Sequence, residues 1–472
     1  MLLLGVSVAS VATVLRFWQL GRFNTLVFDE VYFAQFAQQY LAGTPGFDAH
    51  PPLGKYLIAG SLWISDRSLT LLQRSPISQS ALVEALGVSS ISYRWINAMV
   101  GSLLPLLVVG LCYQLTGSRS QSGQDPSVRL CRRSAFAMLA GLFIATDGLF
   151  VTESRYALLN VHMIFLGLLA HWLWFQANLI DLPGPDRRRR QWAYRVLSAA
   201  ALGGAIATKW NGLGYWVSLL LWEGGRWQQI KGRKRKRQQC INLFVFLGAV
   251  PLIVYGLCWW PHLHLTGDRF LEVHHTLLQF HTRLDVAQRN CSSWYSWPLL
   301  IKPMTYWYQK VGDQVFTVNN LGNPVLWMFS GAAIALLTID RLATDRFWQR
   351  IWLLSPFAQS KVTTRNAERL PALPEVETYV LLGYFANWLP WMLVSRCTYL
   401  YLYMPAAAYS FVAFAWLLSG WLQRQSPYWV RLTGWLMLSA IALAAVFWLP
   451  LSIGSPLSLE SLQTRWWLKS WL

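Results

Sequence analysis

Apolar residues along this chain gather into long runs separated by short polar gaps. A helix that crosses a bilayer needs about 20 mainly apolar residues. Runs near 2–20, 95–115, 135–151, 156–178, 193–207, 211–223, 241–260, 324–339, 378–394, 399–418 and 430–450 therefore read as about eleven transmembrane helices. The run 193–207 is short, and its boundary with 211–223 is blurred. Residues 2–20 read as a retained span rather than a signal peptide, because no basic stretch precedes the apolar one. A shorter period appears in the first long gap, where Val31, Phe33, Ala34, Ala37, Tyr40 and Leu41 recur near helical spacing. That pattern predicts an amphipathic helix lying along the outer interface.

The gaps set an orientation. Basic clusters fall in alternate ones: Arg129, Arg132 and Arg133; Arg187 to Arg190; Lys231 to Arg237; and Arg341, Arg346, Arg350, Lys361, Arg365 and Arg369 in 340–377. Lys and Arg accumulate on the cytoplasmic side, so these gaps are expected inside. The segments 21–94, 261–323 and 451–472 then face outward, as do the short turns around Arg155, Lys209 and Arg396. Both long outer segments are rich in aromatic residues and poor in Ser and Glu, a composition that argues against disorder. The whole chain, 1–472, reads as one membrane-embedded domain with a first outer loop at 21–94, a large outer loop at 261–323 and a cytoplasmic loop at 340–377.

Composition sharpens this reading. Only 13% of the residues are Asp, Glu, Lys or Arg, 54% are hydrophobic, and there are 28 Trp, a residue that collects at bilayer interfaces. The net charge of +19 lies largely in the basic gaps, so its natural partners are anionic membrane lipids, not nucleic acid. The six cysteines form no CxxC pair and read as small hydrophobes, without a disulfide framework or metal site. No Walker motif or Gly-rich nucleotide fingerprint occurs, and no internal repeat.

Candidate chemistry gathers at the outer ends of the runs. Asp29 and Glu30 stand in "FDEVYF". Asp48, His50 and Lys55 follow in "FDAHPPLGK", and Arg94, Arg155, Lys209 and Arg396 stand in later turns. Charges at a membrane edge are costly unless paired or wet, which makes them functional candidates. A carboxylate can take a proton from an attacking hydroxyl, and cations can hold a phosphate as it leaves. The set suits transfer from a lipid phosphate. Asp29 is also placed to cap the interfacial helix. His262, His264, His274, His275 and His281 lack the acid of an HExxH motif and read as substrate contacts or interfacial packing.

Several stretches resemble one family. "FDEVYFAQFAQQYLAGTPGFDAHPPLGKYLIA" is similar to the first outer loop of the protein O-mannosyltransferases. "YRWINAMVGSLLPLLV", "DGLFVTESRYALLNVHMIFL", "ATKWNGLGYW", "SSWYSWPLL" and "YFANWLPWMLVSRCTYLYLYMPA" resemble later parts of that family, in the same order. The resemblance implies a GT-C glycosyltransferase fold and an inverting transfer of mannose from polyprenyl-phosphate mannose to Ser or Thr of an exported protein. It makes Asp29 the base and gives Glu30 the role of positioning the acceptor or holding Asp29 in place. Arg94, Arg155, Lys209 and Arg396 become the donor-phosphate and sugar-binding candidates, and Asp48, His50 and Lys55 position substrate. No metal or other cofactor is required by such a transfer, although a divalent ion near Asp29 is compatible with it.

Two positions depart from the family pattern. "RYALLN" has Asn160 where such sequences often carry Asp, and "LYLYMP" has Leu402 where they often carry His, so neither is expected to be catalytic. Segment 261–323 is too short for the extra β-trefoil domain of the eukaryotic enzymes, which points to a bacterial-type enzyme of the plasma or inner membrane. Segment 340–377 has no counterpart in the resemblance. Two alternatives compete: a GT-C transferase with a lipid acceptor, such as the one that moves aminoarabinose to lipid A, and a transporter of a lipid-linked sugar. A transporter would place polar groups near the bilayer midplane, whereas here they gather at the outer ends.

Overall fold

The computed structural model describes residues 2–72, 89–117, 126–180, 184–283, 290–343 and 376–471. A helix lies at each of the eleven apolar runs. In chain order the helices are α1 (Leu2–Phe17), α2 (Glu30–Ala42), α3 (Leu53–Leu72), α4 (Ser90–Leu115), α5 (Pro126–Thr146), α6 (Gly148–Arg155), α7 (Asn160–Leu179), α8 (Gly184–Thr208) and α9 (Leu213–Gln229). They continue with α10 (Arg233–Leu243), α11 (Val250–Thr266), α12 (Phe270–Arg283), α13 (Pro324–Leu342), α14 (Val376–Trp388), α15 (Met404–Trp421), α16 (Tyr428–Ile453) and α17 (Leu459–Gln463).

Among the described residues, five helical stretches are long and apolar enough to cross a membrane, or six if the bent pair α5–α6 is one span. This is fewer than the eleven spans expected. The difference has a local cause in two helices: α1 has 16 residues, and α8 begins with the charged "DRRRR". Most of the cytoplasmic loop expected at 340–377 lies outside the described residues, as does part of the first outer loop.

The amphipathic helix expected near 31–41 is α2, which buries Glu30, Phe33, Ala34 and Ala37 and stops at Gly43 in the left-handed conformation (φ 75°). Val31 and Leu41, expected on the same face, are exposed. The expectation of a purely helical protein needs one correction. The large outer loop contains a hairpin, β1 (Thr305–Val311) and β2 (Gln314–Asn319), and β3 (Leu457–Ser458) adds to β2 to make an antiparallel sheet in the order β1-β2-β3.

One node ties this loop to the helices. Asp147 breaks the path between α5 and α6, which meet at 58°. Its Oδ1 accepts from the Leu149 and Phe150 amides, capping α6, and its Oδ2 accepts from the Asn323 amide and the Trp327 indole. Gly148 permits the corner, because a Cβ there would stand 2.3 Å from the Leu321 carbonyl oxygen. Asn323 in turn caps α13 and donates to the Ile441 carbonyl of α16. The node fixes α6, which carries Glu153 and Arg155, against the strands that follow.

Candidate active site

The site begins with a strained turn. Phe28 lies in the left-handed region (φ 53°), rare for a bulky side chain and costing about 1–3 kcal/mol. Its ring stacks on Tyr306 of β1 at 4.0 Å and 8°. The next residue, Asp29, occupies the N-cap position of α2, but its side chain makes no capping hydrogen bond. Among the described residues the half-buried Asp29 carboxylate has no hydrogen-bond partner at all. Burial raises its proton affinity, to a pKa of about 7. Lys209 opposes that rise, and Glu153 and Asp48 add to it.

Its neighbour Glu30, expected to position the acceptor or hold Asp29 in place, has the opposite character. Glu30 is fully buried, and both oxygens are used. Oε1 accepts from Arg94 Nε (2.8 Å) and the Ala157 amide (2.9 Å), and Oε2 accepts from Arg94 Nη2 (2.6 Å) and the Val27 amide (2.8 Å). It clamps the start of α2 to α4 and to the turn before α7. Of the two roles expected for it, holding Asp29 in place is the one this geometry suits.

Arg94 and Arg155 also depart from expectation as donor-phosphate residues. Besides Glu30, Arg94 donates to the carbonyls of Leu20, Phe23 and Thr25. Arg155 donates to the carbonyls of Leu15, Arg16 and Gln19. Both guanidiniums are buried and tie the end of α1 and the chain after it to the bundle, so their bonded donors hold the fold. Lys55 is similarly engaged, with Asp48 at 2.5 Å and the His50 carbonyl at 2.8 Å.

The remaining candidates come together. A cavity of about 340 Å³ is lined by His50, Lys209, Trp210, His281, Arg396 and Leu402, among others. Arg396 is half-buried, and among the described residues its side chain bonds the Cys397 carbonyl alone (3.2 Å). Lys209, at the end of α8, lies over the Tyr401 ring at 4.8 Å and donates to Asn160 (3.0 Å). Burial lowers its pKa to about 8, Glu153 and Asp29 raise it, and Arg396 lowers it. Burial and the nearby cations hold His50 well below the usual imidazole range, so it stays neutral. Asp29 is not part of the cavity lining; Lys209 links the two, lining the cavity and acting electrostatically on Asp29. A second cleft, about 760 Å³, lies at the basic start of α8 and is lined, among the described residues, by Pro185, Arg188, Arg189 and Trp192.

Three groups escaped the sequence reading. Glu153 is buried, and it accepts from the Tyr306 hydroxyl and from Asn160 Nδ2 (2.9 Å). An acid at the end of an apolar run was the available signal. Asn160, set aside for lacking charge, bridges Glu153 and Lys209. Cys291 and Cys397, read as small hydrophobes, form a disulfide with Cα atoms 5.1 Å apart. It joins the large outer loop to the turn that carries Arg396, and Ser292 and Thr398 bond reciprocally beside it. The histidines are mostly engaged: His262 with Tyr40, His274 with Tyr255 and His281 with the Ala49 carbonyl. Among the described residues no group of three or more His, Cys, Asp or Glu is placed to hold a metal ion.

Fold and site together define a membrane-embedded transferase. The arrangement of helices is that of the GT-C glycosyltransferases. The structure of the Saccharomyces cerevisiae protein O-mannosyltransferase Pmt1-Pmt2 complex bound to the sugar donor superposes with a TM-score of 0.76, at 16% identity, covering 100% of this chain and 92% of that one. ArnT from Cupriavidus metallidurans bound to undecaprenyl phosphate gives 0.50 at 14% identity, covering 95% of this chain and 74% of that one. In sequence, the family described as dolichyl-phosphate-mannose-protein mannosyltransferase matches residues 6–122 and 127–266, and the C-terminal four TMM region of protein-O-mannosyltransferase matches 266–471. The chain belongs to the protein O-mannosyltransferase family. The polyprenol-phosphate-mannose–protein mannosyltransferase of Mycolicibacterium smegmatis (strain MKD8) is 24% identical over 98% of this chain and 92% of its own length. Dolichyl-phosphate-mannose–protein mannosyltransferase 1 of Saccharomyces cerevisiae is 28% identical over 56% of this chain and 31% of its own length.

Proposed function

We propose that this chain transfers mannose, with inversion, from polyprenyl-phosphate mannose to the hydroxyl of Ser or Thr in an exported protein. Family membership and the names of its full-length relatives support the donor and the protein acceptor. The observation that carries the mechanism is the Asp29 carboxylate, which has no hydrogen-bond partner among the described residues and whose pKa burial raises to about 7 against the opposing charge of Lys209. A base works best when its pKa lies near the working pH.

In this reading Asp29 takes the proton of the acceptor hydroxyl as its oxygen bonds to C1 of mannose. Attack comes from the face opposite the phosphate. The bond from C1 to the phosphate oxygen breaks, and polyprenyl phosphate leaves with the electron pair. Lys209 and Arg396 face the departing phosphate and stabilise its charge. His50 and Trp210 shape the cavity around the sugar, and the Asp48–Lys55 pair braces the loop that carries His50.

The site faces the exterior of a bacterial plasma or inner membrane. The Cys291–Cys397 bridge supports this side, since disulfides persist in oxidising compartments. The alternating basic gaps support it independently. The test is incubation of membranes containing the full chain with labelled polyprenyl-phosphate mannose. Label in protein, released as mannose by β-elimination, is the expected result. Label in lipid alone would favour a lipid acceptor, and movement of intact donor across vesicles without transfer would favour a transporter.

A further inference from the structure

Of the two cavity cations, Lys209 has no direct ion pair with an acid among the described residues. Lys209 Nζ donates to Asn160 Oδ1 at 3.0 Å, and Asn160 Nδ2 donates to Glu153 Oε2 at 2.9 Å. The other Glu153 oxygen accepts from Tyr306. Glu153 and Asn160 are 0% and 4% exposed, so water does not replace these bonds. The amide has one sensible orientation: its oxygen meets a cation and its nitrogen meets an acceptor. Among the described residues no carboxylate lies within ion-pair distance of Lys209.

This spacing has a chemical consequence. An ammonium has three donors. One is spent on Asn160, which leaves two for a ligand. A carboxylate in direct contact would take more of that capacity and neutralise the cation where a phosphate needs it. Removing the carboxylate altogether would leave a buried ammonium with weak compensation. The other groups acting on Lys209 do not replace it. Asp29 exchanges a proton in the reaction, Asp48 is bound to Lys55, Arg396 repels, His50 is neutral, and Tyr401 offers a ring face.

We propose that Glu153 is a positioning residue of the donor site: acting through Asn160, it supplies the counter-charge that holds Lys209 at the cavity with two donors directed to the donor phosphate. The proposal rests on Lys209 being a donor-phosphate cation, and its test separates the two. The full-length enzyme is assayed as wild type, Glu153→Gln, Glu153→Gln/Asn160→Asp and Lys209→Ala. Three properties are measured: transfer kinetics against pH, binding of undecaprenyl phosphate in detergent micelles, and thermal unfolding.

Loss of the distant charge should move the alkaline limb of activity down by about one pH unit and weaken undecaprenyl phosphate binding about tenfold in Glu153→Gln, as an increase in KM more than a fall in kcat. The double variant returns a carboxylate to the network one residue nearer the lysine. It should recover the alkaline limb but leave undecaprenyl phosphate binding weaker than wild type, because this carboxylate touches the ammonium directly. A role confined to anchoring Tyr306 predicts neither the shift nor the rescue, because both variants lose the Glu153 carboxylate in the same way. An unmoved alkaline limb in Glu153→Gln, a double variant that keeps the single variant's alkaline limb, or a double variant that binds undecaprenyl phosphate like wild type, overturns the proposal. If Lys209→Ala binds undecaprenyl phosphate like wild type, the donor-phosphate role of Lys209 fails first and this inference fails with it.

Discussion

Replacing Glu30 by Gln changes one atom and removes one charge. In the structure that charge has four hydrogen-bond donors within 2.9 Å: two from Arg94 and one each from the Val27 and Ala157 amides. Arg94 is fully buried, and its other partners are backbone carbonyls, so Glu30 is its one anionic partner among the described residues. The Gln side chain would present an NH2 group where a donor now binds. Breaking a buried ion pair by removing one partner costs about 3–5 kcal/mol. Folded proteins are stable by only about 5–15 kcal/mol, so about a fifth or more of the total is at stake. The assay is thermal unfolding of the purified full chain, followed by its intrinsic tryptophan fluorescence. Glu30→Gln should melt several degrees below wild type. Glu30→Gln/Arg94→Met should recover part of the loss, since removing both charges leaves no uncompensated ion. If Glu30→Gln melted with wild type yet had lost transfer, Glu30 would be a group of the reaction and the structural role given to it would be wrong.

The remaining predictions concern pH and sidedness. With the Asp29 pKa raised to about 7, transfer should fall about tenfold per unit as pH drops below that value, because the base must be ionised. The same rise has an opposite effect on stability. A proton bound more tightly in the folded state favours folding at low pH, and that contribution is lost as pH rises from the ordinary carboxylate range through about 7. Asp29→Asn should therefore melt no lower than wild type at pH 8, and a lower melting point would contradict the assignment. In intact cells an impermeant maleimide should leave the exposed thiols Cys131 and Cys240 unlabelled, and should reach Cys291 and Cys397 only after reduction. Labelling of Cys131 from outside would reverse the orientation.

The sequence made the charged residues visible but not their partners. Asp29, Lys209 and Arg396 were legible because each stands at the outer end of an apolar run, and His50 because it lies in the HPPLGK element. Glu30, Arg94 and Arg155 stand at the same kind of position, yet long-range packing consumes them; Glu30 and Arg94 are 64 residues apart. Nothing in local pattern separates a cation facing a cavity from one facing carbonyls. Asn160 was set aside because it does not ionise, although a neutral amide is what joins an acid to a base without direct contact. The disulfide spans 106 residues and has no short spacing to announce it. The hairpin was within reach, since "TYWYQKVGDQVFTVN" is rich in aromatic and β-branched residues around a Gly-Asp turn. In the sequence alone its aromatic content argues only against disorder.

The division of labour inside the acidic pair is tested most directly with Asp29→Asn. Purified variant and wild type are compared for mannose transfer from polyprenyl-phosphate mannose to an acceptor protein, with undecaprenyl phosphate binding and melting temperature measured on the same samples. Transfer should fall by about 10²–10⁴-fold, the usual contribution of a general base, while binding and melting stay at wild-type values. An Asp29→Asn enzyme that transfers mannose within a few-fold of wild type would show that the proton goes elsewhere.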